Sequence, residues 1–261
     1  MQNTQKAILI TGCSSGIGFV IATDLKQRGY RVIAACRKPD DIAMLQQKGF
    51  EVVQLDLDDS ASIRQAAAQV LAMTNGKLYG LFNNAGFGIY GRLETISRQQ
   101  CEQQFSSNLF GAHELTMLLL PAMRKQGVGR IIQTSSVMGI ISTPGRGLYA
   151  ASKYALEAWS DALRLELRGS GIQVSLIEPG PISTEFTHNV AQTQKDKPVK
   201  NPSIAKRFTL PPEALIPVVR HALESPTAKI RYRVTFVTKV MAISKRLLPD
   251  RLMDKILANK G

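Results

Sequence analysis

The chain has 261 residues, enough for one large α/β domain or two small ones. With 44% hydrophobic and 20% charged residues, it can bury a sizeable core without a disulfide or metal staple. The net charge of +13 has three readings: a solvated basic face, a contact with an anionic membrane surface or partner, and nucleic acid.

The opening run KAILITG, residues 6–12, reads as a strand and not as an export signal. Residues 11–18, Thr-Gly-Cys-Ser-Ser-Gly-Ile-Gly, then lead into a helix expected over 17–28 and stopped by Gly29. A glycine-rich turn between a strand and a helix N-terminus is built for an anion: free N–H groups and the positive end of the helix dipole face it. Gly12, Ser14, Ser15, Gly16, Ile17 and Gly18 are therefore candidate pyrophosphate contacts.

YRVIAACR, residues 30–37, is the second strand. NAD-binding chains usually end it with a carboxylate for the ribose 2′-OH. Cys36 stands there, followed by Arg37 and Lys38, which suits a 2′-phosphate and favours NADP(H). The other reading makes Arg37-Lys38 the start of a solvated loop, with Asp40 or Asp41 supplying the acid. FEVVQLDL is the third strand, and Asp59-Ser60 caps the next helix. LYGLFNNAG is the fourth strand, a long helix is expected over 101–126, and RIIQTSS is the fifth strand. A helix over 149–169 and the strand IQVSLIEPG follow. Strands apolar on both faces, alternating with helices, predict a doubly wound parallel sheet of Rossmann type in a single domain. Ligands should bind beyond the carboxyl ends of its strands.

Tyr149 and Lys153 are four residues apart and share a helical face. Free tyrosine titrates near pH 10, and a nearby ammonium should lower that value. Such a phenol could deliver a proton to a developing alkoxide, with Ser136 hydrogen-bonding the same oxygen. The three cysteines, Cys13, Cys36 and Cys101, form no metal-ligand spacing and read as reduced thiols of a cytoplasmic protein, without metal.

Residues 11–18, Asn83-Asn84-Ala85-Gly86, Ser135-Ser136, the Tyr149/Lys153 pair and Pro179-Gly180, in this order, resemble the short-chain dehydrogenase/reductase family over about residues 6–190. The resemblance implies Tyr149 as general acid/base, with Lys153 lowering its pKa and holding the nicotinamide ribose. It implies Ser136 as the substrate-oxygen donor and Asn108, in SSNLFG, as the anchor of a proton-relay water. It also implies Asp56 and Leu57 at the adenine, Asn84 on the ribose side, and Pro179, Gly180 and Thr184 beyond the sixth strand; a helix N-cap is the other reading of Thr184. Asn83 reads as a structural tie. CRKP, NNAGFG, SLIEPGP and YALEAWSDALRLEL resemble the branch of hydroxysteroid and retinol dehydrogenases and bacterial NADP-dependent aldehyde reductases.

The expected activity is hydride transfer between NADP(H) and a small apolar carbonyl or alcohol, as an aldehyde or ketone reductase or as an alcohol, sterol or retinol dehydrogenase. A non-catalytic NADP-binding regulator would have no use for the complete Tyr149/Lys153/Ser136/Asn108 set. Phe87, Tyr90, Met138, Ile140 and Phe186 are candidate apolar walls, and residues 182–208 read as a lid. No nucleic-acid partner is expected, because no basic motif is interleaved with stacking aromatics. Leu115, Leu119, Leu156, Leu163 and Leu167 are expected to be exposed on two helices that would form a homodimer. In place of the family's glycine-rich tail, the chain continues as a basic, apolar extension from Phe236 to Leu257. It reads as two short amphipathic helices that pack on the domain, close the pocket or lie on a membrane surface.

Overall fold

The computed structural model describes residues 5–186, 190 and 208–258. Its centre is a parallel sheet of seven strands: β1 (Ala7–Thr11), β2 (Arg31–Cys36), β3 (Glu51–Gln54), β4 (Leu78–Asn83), β5 (Gly129–Thr134), β6 (Ile172–Glu178) and β7 (Arg231–Arg233). They are ordered β3-β2-β1-β4-β5-β6-β7. The order reverses between β1 and β4, and that switch point is where an open α/β sheet forms its binding crevice.

Helices cover both faces. Those before β5 are α1 (Gly16–Gln27), α2 (Pro39–Gln47), α3 (Ser60–Thr74), α4 (Arg98–Phe105) and α5 (Gly111–Gln126). After β5 come α6 (Gly147–Glu166), α7 (Ile216–Glu224), α8 (Phe236–Leu247) and α9 (Asp250–Ala258). Because strand side chains alternate, Ile8 and Ile10 pack toward α1 and α7, while Leu9 packs toward α3 and α5. A sheet buried on both faces explains why β1 and β4 contain no exposed residue.

Local chemistry sets the ends. Asp59 accepts a hydrogen bond from the Ala61 N–H at 2.8 Å and caps α3 as the sequence predicts. Gly29, at φ 86°, supplies the left-handed residue after α1. The helix expected over 101–126 begins earlier, because Ser97 and Gln100 form a reciprocal capping box before α4. It is also interrupted: Ser106–Phe110 form a π-turn between α4 and α5. The 149–169 helix ends at Glu166.

Three expectations are corrected or extended. Leu115, Leu119, Leu156, Leu163 and Leu167 are buried inside the subunit and are not exposed for a dimer. One apolar stripe per helix is spent on the sheet, and the outward apolar residues are Phe110, Leu118, Tyr154 and Leu165. Strand β7, Arg-Tyr-Arg, has no apolar run to betray it; it pairs with β6 and buries Tyr232 between two arginines. The lid expected over 182–208 lies mostly outside the described residues.

Candidate active site

Each strand delivers polar residues at its carboxyl end, and these ends converge around the switch point. At the exit of β1 the first-turn N–H groups of α1 have no intrahelical acceptor, and Ser15 at the N-cap does not satisfy them with its side chain. Gly12 and Gly16 have φ of 73° and 56°. At Gly18 a Cβ would lie 2.1 Å from the Gly12 carbonyl oxygen and 2.7 Å from the Asn84 amide nitrogen. The protein's own backbone therefore demands this glycine. Ile17 packs on the core, leaving its backbone to face outward. A cleft of about 410 Å³ opens beside the turn, lined by Ser14, Ser15, Gly16, Lys48 and Thr184 among others.

Arg37 and Lys38 stand at the tip of β2, where no carboxylate occupies the strand end. Arg37 is exposed and sits 3.9 Å from the Asp56 carboxylate at the exit of β3. Asp40 and Asp41 lie in the first turn of α2. The Leu57 side chain turns inward to the core beneath α3 and α5, so only its backbone is available to a ligand. Asn84 donates to the Thr11 carbonyl at 3.1 Å and accepts from the Thr134 hydroxyl at 3.4 Å, tying the exits of β1, β4 and β5 together. Asn83 is a buried tie to Thr116 at 3.0 Å, as the sequence suggests. Thr184 packs over Gly16, and its hydroxyl accepts the Phe186 N–H at 3.3 Å, the kind of bond its capping reading expects. Pro179 accepts the Val137 N–H at 2.8 Å, and Gly180 leaves room for Thr235.

Ser136, Tyr149 and Lys153 come together at the exit of β5. The Ser136 hydroxyl hydrogen-bonds the Tyr149 phenol and accepts the Met138 N–H at 3.1 Å. Lys153 Nζ donates to the Thr134 carbonyl at 2.7 Å and lies 5.8 Å from the centre of the Tyr149 ring. Asn108, in the π-turn, grips Phe87 through both its amide nitrogen and its oxygen, and donates to Ser152 at 3.1 Å. Ser152 in turn donates to the Tyr149 carbonyl at 2.8 Å, so the π-turn is braced against α6. A Cβ at Gly86 would sit 3.0 Å from Asn108 Oδ1 and 3.7 Å from Lys153 Nζ, which brings both residues onto one loop.

The electrostatics correct one expectation. Burial pushes the Tyr149 phenol well above its ordinary value, Tyr90 adds to this, and the Ser136 hydrogen bond and Arg146 only partly oppose it. Burial also pushes Lys153 down to about 8, with Glu157 pulling it back up. Both groups are out of water, and loss of solvation is the largest influence on each.

The walls are apolar. Tyr90 and Phe186 lean on the Tyr149 ring with centroids 5.8 and 5.5 Å away. Met138 and Ile140 join the same cluster; Phe87 is not part of it. Met241 and Val240 of α8 and Met253 and Ile256 of α9 complete it, so the C-terminal helices pack on the domain beside Tyr149. One residue that holds this loop is missing from the sequence-based set. Gln104 is fully buried and holds the same loop as Asn108, accepting the Ile89 N–H at 2.7 Å and donating to Phe87 at 2.9 Å. Its spacing of one helical turn before Asn108 was the available signal.

A family model described as short chain dehydrogenase matches residues 6–195. The chain belongs to the short-chain dehydrogenase family. It is 66% identical over 253 residues to the uncharacterized oxidoreductase YbbO of Escherichia coli K12, covering 97% of this chain and 94% of that one. It is 32% identical to an NADPH-dependent 3-dehydrocapnine reductase of Ornithobacterium rhinotracheale, covering 95% of this chain and 94% of that protein. A solved short-chain dehydrogenase from Streptomyces avermitilis superposes with a TM-score of 0.82 at 27% identity, over 98% of this chain and 96% of its own. As a short-chain dehydrogenase, the chain is an oxidoreductase.

Proposed function

We propose that this short-chain dehydrogenase, folded as one domain, reduces the carbonyl of an apolar aldehyde or ketone with NADPH. The observation that carries the reading is a buried Tyr149 hydrogen-bonded to Ser136 and set in an apolar cluster. The cofactor, when bound, supplies the hydride. Tyr149 delivers its phenolic proton to the oxygen that becomes the alcohol, and Ser136 holds that oxygen. Lys153, positioned by the Thr134 carbonyl, stays charged below about pH 8 and presents its ammonium to the nicotinamide ribose. Asn108 braces the catalytic helix and anchors the relay water through its π-turn.

The free N–H groups of α1 and the backbone at Gly12, Ser14, Ser15, Gly16, Ile17 and Gly18 suit the pyrophosphate. Arg37 and Lys38 suit a 2′-phosphate. Asp56, the Leu57 backbone, Asn84, Pro179, Gly180 and Thr184 border the rest of the cofactor. The NADPH dependence of the 3-dehydrocapnine reductase supports the same choice.

NADPH and NADH consumption over aliphatic, aromatic, terpenoid and steroid carbonyls tests this reading. Faster turnover with NADPH on apolar members is expected; no turnover of any carbonyl with either cofactor would overturn it. The outward apolar residues Phe110, Leu118 and Leu165 favour a homodimer, for which light scattering at micromolar concentration should give twice the subunit mass.

A further inference from the structure

Helix α8 is apolar on two sides. Thr238, Met241 and Ala242 turn inward, and Met241 belongs to the cluster around Tyr149. Phe236, Ile243 and Leu247 turn outward and are 61%, 57% and 75% exposed. They follow one another at spacings of seven and four residues. At about 100° per residue they therefore fall within roughly 40° of one another, as a single solvent-facing stripe. Phe208 extends it, its ring 5.4 Å from that of Phe236, and Leu252 of α9 is a further exposed apolar side chain nearby in sequence.

The charge along this C-terminal segment is predominantly positive. Helix α8 contains no acidic residue, and from residue 229 to 261 nine Lys and Arg face only Asp250 and Asp254. Arg231 and Arg233 direct their charge inward onto Glu157 and Glu178, and Lys245 pairs with Asp250. Lys239, Arg246, Arg251 and Lys255 lie exposed, with Lys239 and Arg246 both along one side of the apolar stripe.

We infer that the outer face of α8 docks this protein onto an anionic phospholipid surface, with Phe236, Ile243 and Leu247 entering the interface and Lys239 and Arg246 meeting the headgroups. A helix lying in the interface plane with an apolar face and a basic flank has the architecture such binding requires. The inner face of the same helix walls the catalytic cluster, so docking holds Tyr149 about one helix diameter, roughly 10–12 Å, from the lipid. An apolar carbonyl dissolved in the bilayer would then reach the site without crossing bulk water. The docking itself is independent of the catalytic reading, because binding is measured without turnover.

Co-sedimentation of the full chain with phosphatidylserine-containing vesicles and with pure phosphatidylcholine vesicles tests the inference. Pelleting with the anionic vesicles that weakens at high salt is expected. The Lys239→Gln/Arg246→Gln variant should bind about twentyfold more weakly, near fivefold per cation removed. Ile243→Gln/Leu247→Gln should lose binding while keeping wild-type turnover of a small water-soluble aldehyde. Equal pelleting with both lipid types, or unchanged binding by the Ile243/Leu247 variant, overturns it. So does light scattering in which that variant turns a dimer into a monomer, since the stripe would then be covered by a second copy of the chain.

Discussion

Replacing Tyr149 by Phe removes one oxygen from a ring that is packed on both sides by Tyr90 and Phe186. The ring keeps its apolar contacts, and Ser136 keeps the Met138 N–H as a donor. One neutral hydrogen bond is lost, at a cost of about 1 kcal/mol. For a domain of this size that lowers the melting temperature by about 2–4 °C. The effect on chemistry is far larger. A positioned general acid contributes about 10²–10⁴-fold, so the barrier should rise by about 2.7–5.5 kcal/mol. NADPH binding should stay within a few-fold of wild type, because Lys153 is anchored by the Thr134 carbonyl and not by the phenol. NADPH consumption under saturating substrate, cofactor fluorescence titration and a thermal melt separate the three quantities. A variant that retains more than about a tenth of the wild-type rate refutes the assignment of Tyr149 as the acid.

Two further perturbations probe the cofactor end and the support behind the site. Arg37→Asp should lower the ratio of NADPH to NADH efficiency by about 10–100-fold, the loss of a charge-assisted hydrogen bond worth about 1.5–3 kcal/mol. A wild-type enzyme indifferent to the two cofactors would contradict it. Arg231 of β7 pairs with Glu157, Asp161 and Glu178, two of which are buried. Arg231→Leu should therefore destabilise the fold by about 3–5 kcal/mol at neutral pH, measured by urea denaturation. Burial already raises the pKa values of Glu157 and Glu178, and removing the guanidinium raises them further. The folded variant then takes up protons more readily than the unfolded chain, so its deficit should shrink as pH falls toward the ordinary carboxylate range. A deficit that grows on acidification would contradict the ion-pair account.

Much of this protein was legible in the order of its residues. The phosphate turn, the six longer strands and the Tyr149/Lys153 pair are local patterns whose physics lies within a few residues of chain: alternation of apolar positions, glycine beside a helix start, and one-turn helical spacing. Ser136 follows β5 directly, and a parallel sheet gathers the exits of its strands at one edge, so its position beside Tyr149 follows from the same strand pattern. Other features depended on partners distant in sequence. Strand β7 exists because Glu178 and Glu157 need Arg233 and Arg231, and nothing in Arg-Tyr-Arg by itself asks for a strand. The leucines of α5 and α6 could be assigned to the sheet or to a second subunit only once the sheet was in place. The direction of the Tyr149 shift followed from burial, which no local spacing encodes. The C-terminal helices could be predicted from periodicity, but a helix with two apolar faces does not say which one turns inward. Packing against the Tyr149 cluster chose Met241 and left Phe236, Ile243 and Leu247 to the outside, because the inward set meets the buried apolar cluster of the domain.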